Sequence, residues 1–194
     1  MQNIIEYINV KWEPEKLEDI YKNTLGNWDP RGYIECGAKS HVMDENENFK
    51  NIWEPILSEH SKVHDRFCPK ATGFNYNATP KHTVPPHIDI DEPLYFNLLL
   101  PVFGVAKINI YETIDEQLEH RHGMTHWKMV NDKYEKHKIG EVVVDKPVLL
   151  NTGQLHDVEP IDTPRCLWCT RWVEVPQTFT YATFKEYVED TLND

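Results

Sequence analysis

The chain has 194 residues, is 40% hydrophobic and 27% charged, and carries a formal net charge of −12. That size fits a single domain, 1–194, with a sizeable core. The acidic balance lacks the basic clusters a phosphate backbone requires, so no nucleic-acid partner is expected. No apolar run approaches the ~20 residues needed to span a bilayer, and the N-terminus has no basic start followed by an apolar centre, so a cytoplasmic protein without a membrane partner is expected.

In chain order, residues 13–25 place Leu17, Ile20, Tyr21 and Leu25 at helical spacing, with Pro14 in the first turn and Gly26 as a stop. Residues 32–39 read as a strand, and 46–60 as a second helix divided by Pro55. Together, residues 1–72 form an N-terminal support region. From 73 the pattern changes to short strands between Pro, Gly, Asn and Asp turns: 73–77, 94–102, 106–112, 141–144, 148–151 and 166–175. Residues 115–138 are polar, show no core face, and read as an insertion or lid inside a β core spanning 73–175. Residues 176–194 contain a C-terminal amphipathic helix with Phe184, Tyr187, Val188 and Leu192 on one side. The expected class is mainly β with flanking helices (α+β), built on a double-sheet core of the jelly-roll or cupin kind.

The four cysteines are Cys36, Cys68, Cys166 and Cys169. The last two have C-x-x-C spacing, but residues three apart on a strand face opposite sides, so they are read as structural thiols. His120, His122 and His126 form a rival histidine cluster in the polar insertion and are read as solvated.

His87-Ile88-Asp89 carries the strongest chemical signal. On an extended segment, residues i and i+2 share a face, so an imidazole and a carboxylate aim at one point. His156, after a strand and the turn at Gly153, is the candidate third ligand. Two histidines and a carboxylate suit iron(II) and leave coordination positions open for a cosubstrate and O2. Arg165 lies nine residues further on. An arginine on an inward face implies an anion, and its fork matches a carboxylate such as that of 2-oxoglutarate. Arg171 shares its parity and is the alternative anchor. Tyr76 is a candidate hydroxyl donor to the same carboxylate, and Asn97 a candidate to point inward near the metal.

His156-Asp157-Val158-Glu159-Pro160, followed by Arg165 and Trp172, resembles the distal motif of the prolyl-hydroxylase branch of the Fe(II)/2-oxoglutarate-dependent oxygenases. The strand bearing Tyr76 that leads into His87-Ile88-Asp89 resembles the same family. The surroundings of Leu98-Leu99-Leu100-Pro101 are similar to the aspartyl/asparaginyl β-hydroxylase branch, which often lacks the carboxylate ligand kept here as Asp89. The resemblance covers roughly residues 73–175. It implies an Fe(II) site at His87, Asp89 and His156, 2-oxoglutarate anchored at Arg165, and hydroxylation coupled to release of succinate and CO2. It places a protein or peptide side chain (prolyl, asparaginyl or aspartyl) ahead of a small-molecule substrate. Two other readings stay open: a cupin-type metalloenzyme that does not use 2-oxoglutarate, and a non-catalytic β-sandwich binding module.

Overall fold

The computed structural model describes residues 4–22, 32–33, 38–42, 69–77, 86–89, 96–114, 118–121, 124–127, 134–172 and 175–193. They form a β-rich α+β fold. Its strands are β1 (Ile5–Tyr7), β2 (Gly32–Tyr33), β3 (Ala38–Val42), β4 (Pro69–Asn77), β5 (His87–Ile88), β6 (Phe96–Phe103) and β7 (Ala106–Tyr111). They continue with β8 (Leu118–Arg121), β9 (Met124–Trp127), β10 (Lys138–Val144), β11 (Val148–Asn151), β12 (His156–Pro160) and β13 (Arg165–Trp172). The helices are α1 (Pro14–Ile20) and α2 (Tyr181–Asn193), with a 3-10 turn at Tyr134–His137.

Two antiparallel sheets result. The first has seven strands in the order β1-β11-β6-β13-β4-β3-β2, the second six in the order β10-β7-β12-β5-β9-β8. Alternation along each strand sorts the side chains into layers. In the first sheet, Phe74, Phe96, Leu98, Leu100, Leu149, Cys166, Trp168 and Trp172 pack on one face against Leu17 of α1 and Phe184, Val188 and Leu192 of α2. The intervening residues Leu99, Val148, Leu150 and Leu167 turn the other way and meet Ala106, Ile108, Ile110 and Val144 of the second sheet. The order is therefore helices, sheet, sheet, with an apolar seam between each pair of layers. Each fully buried Leu or Phe contributes roughly 1.5–3 kcal/mol, and these seams set the strand register.

Pro14 opens α1 from its first turn, as its missing N–H allows. The expected end of that helix, near Leu25 and Gly26, lies outside the described residues, as do the 46–60 helix, Cys36 and Cys68. The polar stretch 115–138, read as an insertion or lid, contains strand pairing. Two of its described pieces, β8 and β9, form a hairpin, and β9 pairs with β5. Its backbone extends the edge of the second sheet beside β5, and Leu118 packs against Ile88, Tyr111 and Leu155. The strand β12 is also additional to those expected from the sequence. None of the described helices is long and apolar enough to cross a membrane.

Candidate metal centre

The three ligand candidates come from one corner of the second sheet. The short strand β5 lies between β12 and β9, with His87 paired to His156 on one side and to His126 on the other. On its far side, His156 pairs with Ile110 of β7. Asp89 follows β5 by one residue, and its backbone N–H donates to the carbonyl of Thr152 in the turn between β11 and β12, at 3.2 Å. Two separate backbone contacts thus bring the His87–Asp89 segment against the segment that carries His156.

The side chains converge. His87, Asp89 and His156 are all buried, and one potential ligand atom from each lies within 4.8 Å of the others. The two imidazole centroids are 4.7 Å apart, and His87 Nε2 is 3.4 Å from Asp89 Oδ1. The His156 Nδ1–H donates to the backbone carbonyl of Gln154 at 2.8 Å. A carbonyl can only accept, so this bond selects the tautomer whose Nε2 lone pair is free for a metal. Burial, reinforced by the charge of His87, pushes the His156 pKa down to about 4. Burial opposes ionisation of Asp89, but the Arg171 guanidinium and the two histidines outweigh it and hold that carboxyl well below the usual range. His156 is therefore held as neutral imidazole and Asp89 as carboxylate, the state a metal requires of such ligands.

A divalent transition metal fits these residues. Neither carboxylate oxygen of Asp89 has a hydrogen-bond partner among the described residues, though both are buried. Two nitrogens and an oxygen on one side of a point suit iron(II) and its neighbours in the series.

Arg165 opens β13 on the face turned towards the second sheet and is 2% exposed. Its Nη2 donates to Asn75 Oδ1 at 3.1 Å, while Nε and Nη1, also buried, have no partner among the described residues. Burial pulls its pKa down to about 10, which still leaves it charged at neutral pH. A buried guanidinium with two unsatisfied donors and no anion is costly, and a carboxylate ligand would satisfy it. Gly104 makes this placement possible: its φ is +65°, and a Cβ there would stand 2.6 Å from the Pro164 carbonyl and 2.8 Å from Arg165 Cα. The sequence reading named neither Gly104 nor Asn75. Only the cross-strand register, which sets Asn75 opposite Leu167, shows that it shares the inward face.

Arg171, on the same face of β13, reaches the candidate triad, with Nη2 3.4 Å from Asp89 Oδ2. Asn97 pairs across the strands with Arg171, is buried, and leaves its Oδ1 without a partner among the described residues. Both therefore lie on the inward face. Tyr76 does not. It packs on the helix side, with its ring 5.7 Å from Tyr21 and 6.3 Å from Phe103. The register explains the correction: Tyr76 lies opposite Cys166, whereas Asn75 lies opposite Leu167 and shares the inward face. Cys166 and Cys169 are free thiols divided between the two apolar seams, as strand alternation required. The side chains of His120, His122 and His126 lie outside the described residues.

The fold is similar to that of ycfD from E. coli, with a TM-score of 0.54 and 11% sequence identity, over 96% of this chain and 53% of that one. This chain thus spans about half the length of ycfD. Two further structures of YcfD from Escherichia coli, described as a ribosomal oxygenase, give lower TM-scores. One, in complex with cobalt and succinic acid, scores 0.43 at 11% identity over 72% of this chain and 33% of that one; the other scores 0.48 at 10% identity over 86% and 40%. At these identities the likeness is one of fold. No protein-family model matches the chain, and no curated protein matches it.

Proposed function

We propose that the chain is an Fe(II)- and 2-oxoglutarate-dependent dioxygenase that hydroxylates its substrate, with His87, Asp89 and His156 as metal ligands. One observation carries the reading: a buried His-Asp-His set shares an inward face with a buried arginine that has two donors without a partner among the described residues. A bare metal site accounts for the first half of that arrangement but gives Arg165 no reason to be buried. In this reading the two sheets are the walls of a double-stranded β-helix, or jelly roll. The ribosomal-oxygenase description of E. coli YcfD supports a protein side chain as substrate and, with it, a cytoplasmic protein. The pairing of β9 with β5 supports reading the β8–β9 hairpin as the lid.

Bound iron(II), with 2-oxoglutarate and O2, supplies oxidative decarboxylation coupled to hydroxylation, releasing succinate and CO2. The protein's residues position and exclude. His156 is held with Nε2 forward by its bond to the Gln154 carbonyl. Arg171 keeps Asp89 ionised and aimed. Arg165 receives the distal carboxylate of the cosubstrate, and the Oδ1 of Asn97 offers an acceptor beside the metal. Leu99, Leu150 and Leu167 close the inward wall against water.

Anaerobic titration of the apoprotein with iron(II) and then 2-oxoglutarate, followed by visible absorption, tests this. A charge-transfer band that needs both additions is expected. Metal binding without that band would favour a cupin-type enzyme that does not use 2-oxoglutarate, and no metal binding would favour a binding module.

A further inference from the structure

The distal motif contains a residue that the metal site does not use. Asp157 follows His156 and points to the opposite face of the second sheet, yet it is 2% exposed. A carboxylate buried away from the metal needs partners, and it has them. Tyr111 Oη donates to Asp157 Oδ2 at 2.7 Å, and Asn109 Nδ2 donates to Asp157 Oδ1 at 2.8 Å. Burial, then the hydrogen bond and charge of Asp157, push the Tyr111 pKa far up, so the phenol remains a donor.

Tyr111 also holds the strand from the other side of His156. Its backbone N–H donates to the Leu155 carbonyl at 2.9 Å, and its carbonyl accepts from Gln154 Nε2 at 2.7 Å. Gln154 Nε2 also lies 3.1 Å from Thr113 Oγ1. The backbone carbonyl of that same Gln154 accepts the His156 Nδ1–H. The contacts form a closed loop: Tyr111 grips residues 154, 155 and 157, the two before His156 and the one after it. The backbone atom that orients the imidazole belongs to a gripped residue.

We infer that Gln154, Tyr111 and Asp157 form a clamp that presets the position and tautomer of His156 for the metal, making them positioning residues of the centre. The inference rests on the metal reading above. It goes beyond that reading by assigning the reverse face of the second sheet a part in metal affinity. A partner that fixes a ligating histidine typically changes metal affinity by about 10–100-fold when removed. Here the effect passes through a backbone carbonyl, so the lower end is expected.

The test is cobalt(II) binding to the full chain, read by affinity and by ligand-field absorption, with thermal midpoint recorded for every variant. Gln154→Glu keeps the side-chain shape but removes the donor to Tyr111 O. Tyr111→Phe removes one oxygen. Each is expected to weaken cobalt(II) binding by about 10-fold and to alter the band shape. Asn109→Ala also touches Asp157 but leaves the Tyr111 loop intact, so it is expected to bind nearly as wild type does. Variants that lose thermal stability yet keep wild-type affinity and spectrum would show ordinary packing and overturn the clamp. Should Gln154→Glu fail to fold, Tyr111→Phe decides by the same readout. Failure of the wild type to bind cobalt(II) would instead sink the metal reading itself.

Discussion

The guanidinium of Arg171 reaches across the gap between the sheets to Asp89, Nη2 lying 3.4 Å from Oδ2. The carboxylate is 3% exposed and the arginine side chain 37%. Arg171 therefore stands in for cationic charge that a metal would also supply. Arg171→Met is expected to destabilise the metal-free protein by about 1–3 kcal/mol, below the cost of breaking a fully buried pair because the arginine is partly solvated. Cobalt(II) replaces the lost charge, so the gap between variant and wild-type thermal midpoints should narrow when metal is added. A gap that is the same with and without metal would mean that Arg171 supports the strand rather than the carboxylate.

Arg165 behaves differently because no anion among the described residues faces it. Arg165→Met removes an under-satisfied buried charge and fills similar space. The metal-free variant is expected to be as stable as wild type or more so in urea denaturation. Its affinity for 2-oxoglutarate, by calorimetry on the cobalt(II)-loaded protein, should drop on the order of 100-fold, the loss of about 3 kcal/mol of charge-assisted bonding. Cobalt(II) affinity should not change. Equal loss of both affinities would show that Arg165 shapes the metal site and does not anchor the cosubstrate.

Gly104 sets where Arg165 begins. An alanine there meets both an unfavourable φ of +65° and a Cβ 2.6 Å from the Pro164 carbonyl. Gly104→Ala should cost roughly 1–3 kcal/mol. It should also weaken 2-oxoglutarate binding while sparing cobalt(II). If calorimetry shows unaltered 2-oxoglutarate binding, the turn and Arg165 are not mechanically linked.

Acid should unfold the metal-free protein in two stages. The His156 pKa is depressed to about 4 from an ordinary value of 6.5. Between those values the unfolded chain binds the proton and the folded one does not. Stability is thus full above about pH 6.5 and is lost as pH falls towards 4, by about 3 kcal/mol at roughly 1.4 kcal/mol per unit. Asp89 acts in the same direction at lower pH, contributing stability above its unfolded value and losing it as pH falls through its lowered folded value. Urea midpoints measured from pH 7 to 4 should fall in wild type and fall less steeply in His156→Asn. Parallel slopes would assign the acid sensitivity to other groups.

The convergence of His87, Asp89 and His156 was readable because its signal is local. His87 and Asp89 share a face by alternation alone, and His156 follows a strand and a turn. Arg165 was readable for the same reason, from its distance along the chain. Tyr76 was misplaced because a cross-strand neighbour depends on register, which a single sequence does not display when both Asn75 and Tyr76 suit an interior. The strand β12 escaped notice because His156, Asp157 and Glu159 leave Val158 as its one aliphatic residue, too little for a hydrophobic alternation to show. One face aims a ligand at the metal and the other feeds the Tyr111 and Asn109 hydrogen bonds. The β8–β9 hairpin escaped for a related reason: its strands are defined by pairing with a neighbour, which leaves no hydrophobic period to read.

The two faces of β13 have a consequence for how this site can vary. Cys166, Trp168 and Trp172 sit in the helix-side seam, while Arg165, Leu167, Cys169 and Arg171 alternate with them on the inward side. A slip of one residue would drive two guanidiniums among Phe74, Phe96 and Phe184 and lift the tryptophans out of their seam. Such an error has no half-way form. The tryptophans act as a ratchet for the arginines, so the spacing between Arg165 and the Arg171 contact with Asp89 is inherited from the hydrophobic core.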